Sequence, residues 1–400
     1  MNILVLNCGS SSIKYQLLEM ATEPVLAAKG IVEKIGLPVG GFTHKTAGKA
    51  PIVKEESIPD HTAGINLLLK ALTAPEYGVI GSLEEIDAVG HRIAHGGEYF
   101  TESTLINEDV IGKIRLCQEL APLHNPAHLK GIETILKVLP KVPQVAVFDT
   151  SFHQTLPPQA YIYGVPYEYY KKYGVRRYGF HGTSHKYVAE KACRILGWDI
   201  KEKKIITCHL GNGASITAID KGKSIDTSMG FTPVAGLVMG TRCGDLDVGA
   251  LLYICEKENF DSVKANELIN KKSGIAGISE LSSDFRELTA AAADGHKQAQ
   301  LALDVFYYNI KKYIGSYTAV LNGVDLIIFT GGIGENNTAI RKLVCDGLAY
   351  LGLIFNNEAN ESARGVDAVL TKDHSKPTVM TVTTNEELVI AMDTLKLVQK

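Results

Sequence analysis

A strand–turn–strand unit that occurs twice constrains this chain more than any other feature. Ile205-Ile-Thr-Cys-His-Leu-Gly-Asn-Gly-Ala-Ser-Ile-Thr-Ala-Ile219 reads as an apolar strand, a tight Gly-Asn-Gly turn and a second strand. Half a chain earlier, Ile3-Leu-Val-Leu-Asn-Cys-Gly-Ser-Ser-Ser-Ile-Lys-Tyr-Gln-Leu17 repeats the design with a Gly/Ser turn, after which Ile13, Tyr15 and Leu17 alternate with polar residues. Gly211 and Gly213 carry no Cβ, so the turn is expected to reach positive φ and to let a ligand approach the backbone. The exposed N–H groups of such a turn can cradle phosphate oxygens. One unit alone reads as an ordinary β-turn. Two in one chain point to a duplicated domain with a nucleotide between the halves.

Length and composition fit that reading. At 400 residues the chain can build two domains with separate cores. A hydrophobic content of 45% with 21% charged residues is that of a globular protein, and no apolar run approaches a membrane span. A net charge of −3 supplies no basic field for nucleic acid or anionic lipid. Met1 leads directly into a strand, so no signal peptide is expected. Seven scattered cysteines without a Cys-x-x-Cys pair read as reduced thiols in a cytoplasmic protein.

Along the chain, residues 20–56 read as further β structure and His61–Leu72 as a helix. Ile86–Val89 reads as a short strand delivering Gly90-His-Arg-Ile-Ala-His-Gly-Gly97, and Val145–Phe148 as a buried strand ending on Asp149. Ser184 is expected to cap a helix over 187–196, and helices fill most of 251–320. Val324–Thr330 enters Gly331-Gly-Ile-Gly-Glu-Asn-Asn337. Thr384-Asn-Glu-Glu387 reads as a capping box for the terminal helix. Strands alternating with helices mean α/β layers with mixed sheets, the boundary between halves falling near Asp149.

No P-loop is present, and Gly332-Ile-Gly334 meets Asn337 where a dinucleotide fingerprint needs its third glycine. A nucleotide site would therefore be assembled from separated turns around Gly9, Gly211 and Gly332. Three His-x-x-x-His pairs (His91/His95, His124/His128, His181/His185) have zinc spacing. Glycines bracket or break two of them, Pro126 interrupts the other, and none carries the glutamate of a His-Glu-x-x-His site. Histidine as a phosphoryl-stabilising donor fits better. Arg92 and Arg242 each stand in a glycine-dense, otherwise apolar loop, where a guanidinium fork would bind carboxylate or phosphate rather than make a surface ion pair. Asp149 suits either an Asx-turn or the orientation of a nucleophile or a metal-bound water. Glu386 falls where a helix dipole favours a carboxylate in any case.

Assembled, these residues resemble the acetate kinase (acetokinase) family over essentially the full length. The resemblance is carried by Asn7-Cys-Gly-Ser-Ser-Ser-Ile-Lys14, His91-Arg-Ile-Ala-His-Gly-Gly97, Val147-Phe-Asp-Thr-Ser-Phe-His-Gln154 and Arg177-Tyr-Gly-Phe-His-Gly-Thr-Ser-His185. His209-Leu-Gly-Asn-Gly213, Met239-Gly-Thr-Arg-Cys-Gly-Asp245 and Phe329-Thr-Gly-Gly-Ile-Gly-Glu-Asn336 complete it. It implies the duplicated two-domain α/β fold of the acetate/sugar kinase, actin and heat-shock-chaperone superfamily, with a nucleotide cleft between domains. The domains would be 1–150 with a C-terminal helix of about 386–400, and 151–385 for the nucleotide. It implies a cytoplasmic homodimer that moves the ATP γ-phosphoryl group reversibly to acetate, giving acetyl phosphate and ADP, with Mg2+ or alternatively Mn2+.

By resemblance, Asn7 and Glu386 form the metal site. Lys14, the run His209, Leu210, Gly211, Asn212 and Gly213, the run Asp284, Phe285 and Arg286, and the run Gly332, Ile333, Gly334, Glu335 and Asn336 contact the nucleotide. Arg92 and Arg242 hold the carboxylate and the migrating phosphoryl group, His181 stabilises the transition state, and Asp149 is the catalytic acid group. Ala94, Leu123, Phe180 and Pro233 match the apolar pocket for the substrate methyl. Ala94 stands where acetate kinases often carry Val and the family's propionate kinases carry Ala, and Cys243 stands where many relatives carry Ser. Propionate kinase is thus the neighbouring reading, and an actin- or chaperone-like ATPase the reading from another class.

Overall fold

The computed structural model describes residues 1–122 and 124–399, and its chain divides into two units, Met1–Ser151 with Asn385–Lys400, and Phe152–Thr384. Among the described residues the first unit holds an eight-stranded sheet built from β1 (Asn2–Cys8), β2 (Ser12–Glu19), β3 (Val25–Glu33), β4 (Gly40–Thr46), β5 (Ile52–Glu56), β6 (Ala88–Ile93), β7 (Thr104–Leu105) and β8 (Gln144–Phe148), in the order β5-β4-β3-β2-β1-β6-β8-β7. The second unit holds β9 (Lys204–Leu210), β10 (Ala214–Asp220), β11 (Lys223–Thr227), β12 (Leu326–Thr330), β13 (Ala368–Val369) and β14 (Thr378–Thr381), in the order β11-β10-β9-β12-β14-β13.

The two orders are the same once β4 and β5 are set aside. In each, an antiparallel meander of three strands joins two parallel strands, and a short antiparallel strand closes the edge. The fold is α/β, two mixed sheets faced by helices, and the duplication lies in the sheets themselves. β1 and β9 share one burial pattern, with four consecutive buried residues, because each lies inside its sheet with both faces covered. Leu4 and Leu6 pack with Ile65, Leu68 and Leu72 of helix His61–Leu72, while Ile3 and Val5 pack with Ile390 and Ala391 of the terminal helix Glu386–Val398. In the second unit, Ile206 and Cys208 join the core containing helix Lys297–Leu321, and Ile205 joins that of helix Gly182–Leu196. No described helix is long and apolar enough to cross a membrane.

Several local expectations shift. The strand expected at 86–89 runs instead over Ala88–Ile93, so Arg92 stands on a strand and not in a loop. A Cβ at Gly90 would lie 2.6 Å from Ile390 Cγ2, so the missing side chain lets the terminal helix settle on β6. Helix Gly182–Leu196 begins five residues before the predicted start, with His181 at its N-cap, and Ser184 lies inside it. Asn385, not Thr384, caps the terminal helix by accepting from Leu388 N. Pro126 occupies the first turn of helix Asn125–Val138 and interrupts nothing.

Candidate active site

Chemistry-bearing residues gather in each unit at the ends of the strands that the duplication pairs. In the first, the parallel strands β1, β6 and β8 bring Asn7, Arg92 and Asp149 side by side at their carboxyl ends, where open α/β sheets place ligands. Arg92 donates from Nε to Asp149 Oδ1 at 3.0 Å and from Nη2 to Oδ2 at 2.6 Å, and its Nη1 reaches Asn7 Oδ1 at 3.3 Å. The Asp149 side chain is 3% exposed and that of Arg92 25%. This bidentate pairing raises the Arg92 guanidinium further above its ordinary value, against the opposing effect of burial. Lys14 faces Asn7 across β1 and β2.

Glu386, the first residue of the terminal helix, belongs to the same group of charges. Burial pushes its carboxyl up to about 7, Asp149 and Glu387 push the same way, and Arg92 and Lys14 oppose them. Asn7, Asp149 and Glu386 thus offer hard oxygen donors around negative charge the protein only partly offsets. That donor set fits a divalent cation such as Mg2+, which keeps much of its water and needs only one or two carboxylates. No three His, Cys, Asp or Glu side chains among the described residues form a metal cage. His91, His95 and His128 are buried and held in the neutral form, His91 pushed down to about 4 and His95 to about 3, chiefly by desolvation. His91 bonds Gln144 and is a core residue. Ala94 is buried just beyond β6. Leu123, expected in the methyl pocket, lies outside the described residues.

In the second unit, the turn between β9 and β10 meets two donors. A Cβ at Gly213 would stand 3.3 Å from Arg242 Nη1 and 3.6 Å from His181 Nε2. Neither Gly211 nor Gly213 adopts the positive φ expected of it; what Gly213 provides is the close approach. Left-handed backbone occurs instead at His181, at φ 57°, and at Gly331, at φ 77°. A non-glycine residue held there is strained, and such strain clusters at functional sites. The His181 ring stacks on that of His209 at 4.3 Å. Arg242 Nη1 is 3.5 Å from the Pro233 carbonyl, and Phe180 is buried in the large core. Cys243 Sγ donates to the Gly244 carbonyl at 3.2 Å, a bond a serine hydroxyl could also make.

A cavity of about 960 Å³ opens beside this turn, lined by Asn212, Asp284, Phe285, Arg286, Gly332, Ile333 and Asn336 together with Arg364 and Thr338. Four segments far apart in sequence are thus brought together. Asp284 caps helix Phe285–Ala293 and is held down to about 2 by hydrogen bonds from Arg286. Leu210 and Gly334 are buried behind the lining. The Glu335 carboxylate fastens the turn from within, accepting from Gly331 N and Thr384 N at 3.0 Å each. Arg364 and Thr338 escaped the sequence reading. Arg364 precedes Gly365, at φ 63°, and so carries the arginine-beside-glycine signal that singled out Arg92 and Arg242.

A family model described as "Acetokinase family" matches residues 2–392. The acetate kinase of Phocaeicola vulgatus is 57% identical, the match covering all of both chains. The crystal structure of Porphyromonas gingivalis acetate kinase superposes with a TM-score of 0.95 at 50% identity, covering 99% of each chain. That of a propionate kinase from Francisella tularensis superposes at 0.92 and 42% identity, again over 99% of each.

Proposed function

The chain belongs to the acetokinase family and is a kinase, and from that premise we propose that it transfers the γ-phosphoryl group of ATP reversibly to acetate, giving acetyl phosphate and ADP. One observation carries the reading furthest: Arg242 and His181 both face Gly213, one residue from Asn212 in the wall of the large cavity. A nucleotide in that cavity would extend its phosphates along the turn toward two donors. Phosphoryl transfer passes through a loose transition state that needs in-line positioning and donors around the equatorial oxygens, which Arg242 and His181 supply.

Acetate arrives already ionised, so no general base is required. Asp149 therefore works by position and charge. It locks the Arg92 fork, leaving the Nη1 edge beside Asn7 for the substrate carboxylate, and lends its own charge to the metal site. Asn7 and Glu386 would hold Mg2+, which when bound neutralises charge on the phosphates. In the second unit, the turn 209–213, Asp284–Arg286 and Gly332–Asn336 bind the nucleotide, Glu335 and Leu210 by shaping backbone. Ala94 favours a second substrate, propionate, because a small side chain in a buried wall leaves room for one more carbon. A hydrophobic pocket separates such substrates by only about 1–3 kcal/mol, so acetate preference would be partial.

We read the protein as cytoplasmic, in keeping with seven free cysteines, and as a homodimer. Helices Val248–Glu258 and Ser262–Lys271 bury none of their residues and expose Val248, Leu252, Tyr253 and Val263, an apolar surface suited to a second copy. The deciding experiment follows ATP turnover with hydroxylamine trapping, with and without acetate or propionate and across a Mg2+ titration. Carboxylate-dependent, Mg2+-dependent acyl hydroxamate is expected. Phosphate release that ignores the carboxylate would make the protein an actin- or chaperone-like ATPase instead.

A further inference from the structure

Behind His181 a chain of hydrogen bonds runs inward through buried side chains. His181 Nδ1 is 2.9 Å from Ser215 Oγ, Ser215 Oγ is 2.7 Å from His185 Nε2, and His185 Nδ1 is 2.6 Å from Thr207 Oγ1. Thr207, His185 and Ser215 are fully buried. We propose that Thr207, His185 and Ser215 act as positioning residues that fix His181 in one tautomer, with Nδ1 accepting and the proton on Nε2, the nitrogen facing Gly213. The proposal rests on the reading of His181 as a donor to the migrating phosphoryl group.

Proton accounting sets the direction. The Thr207 hydroxyl has a single hydrogen-bond partner among the described residues, His185 Nδ1. Buried, it must spend its proton there or leave it without an acceptor. His185 Nδ1 is therefore the bare nitrogen. Desolvation keeps His185 neutral, and the nearby His153 and His209 act in the same sense. Its one proton is then on Nε2 and is donated to Ser215 Oγ. Ser215, having accepted, gives its own proton to its other partner, His181 Nδ1. A neutral His181 is left with N–H at Nε2 alone. Run in reverse, the chain strands the Thr207 proton and turns a bare Nε2 toward Gly213, where it would repel phosphate oxygens. A neutral, preset donor does not depend on a proton taken up from solvent.

The test is tautomer-resolved 15N NMR of the full-length protein carrying 15N-labelled histidine, with His181 assigned through His181→Gln. The expected spectrum shows His181 protonated at Nε2 with a bare Nδ1. Thr207→Val keeps shape and removes the hydroxyl, so the His181 signals should move toward a tautomer mixture and kcat should fall roughly tenfold, with KM for ATP little changed. Thr207→Ser should restore both. His181 protonated at Nδ1 in the native protein, or a His181 spectrum indifferent to Thr207→Val in a folded variant, overturns the relay. Failure of the underlying reading looks different: His181→Ala would keep full acetate-dependent turnover while the native Nε2–H tautomer stayed in place.

Discussion

Glu386 carries a charge that the fold itself does not balance. Its carboxyl is raised in the folded protein and ordinary, near 4.5, in the unfolded chain. Between those values the folded state binds more protons, so stability falls as pH rises from about 5 toward 8. Glu386→Gln should therefore stabilise the metal-free protein at pH 8 by on the order of 1 kcal/mol, with the gain fading at pH 5. Urea midpoints at both pH values decide it, and a loss of stability at pH 8 would sink the argument. Added Mg2+ should narrow the gap by stabilising the wild type alone. Arg242 has the opposite character: its value lies in geometry. Arg242→Lys keeps the charge and loses the fork, so turnover should fall tenfold or more at saturating ATP and acetate. Near-normal turnover in a folded variant would remove Arg242 from the transition state. Arg92 and Arg242 were visible as candidates because arginine among glycines is conspicuous. The locking of Arg92 onto Asp149 was not, since it depends on two parallel strands becoming neighbours.

At the scale of elements, apolar runs located β1, β8, β9 and β12, because strands buried on both faces leave little choice of residue. Ends were harder. Thr384 and Asn385 are both good capping residues, and the fold chose Asn385 because the Thr384 hydroxyl is engaged with Ser184 at 2.8 Å. Asn385→Ala should then cost about 1 kcal/mol, as lost caps do, while the same change at Thr384 leaves the cap intact. Chemical denaturation followed on fragments of the terminal helix by hydrogen exchange would separate them; early exchange in 386–398 for Thr384→Ala and not for Asn385→Ala would reverse the assignment. Turn dihedrals were the least legible. Gly213 is a glycine for approach, whereas Gly331 serves both conformation, at φ 77°, and approach, since a Cβ there would sit 2.7 Å from the Leu210 carbonyl oxygen. Composition alone does not separate those two uses.

For the molecule as a whole, the repeated strand–turn–strand unit disclosed a duplication whose extent only the pairing reveals, since β6, β8 and β7 repeat as β12, β14 and β13 through contacts distant in sequence. One consequence is that the cavity proposed for the nucleotide is lined entirely by residues of the second unit. ADP should then stabilise that unit by mass action, about 2.7 kcal/mol at a hundredfold excess over Kd. In hydrogen-exchange mass spectrometry the added protection should concentrate in three peptides, around 209–213, 284–290 and 332–339, which have no sequence proximity and share only the cavity wall. Acetate without nucleotide should leave these three unchanged, because the residues assigned to its carboxylate through Arg92 lie on β6. Protection by ADP at one of the three alone would mean that the cavity is not a single binding surface. Protection at none would place the nucleotide elsewhere, and the assignments of Asn212, Asp284 and Asn336 would fall together.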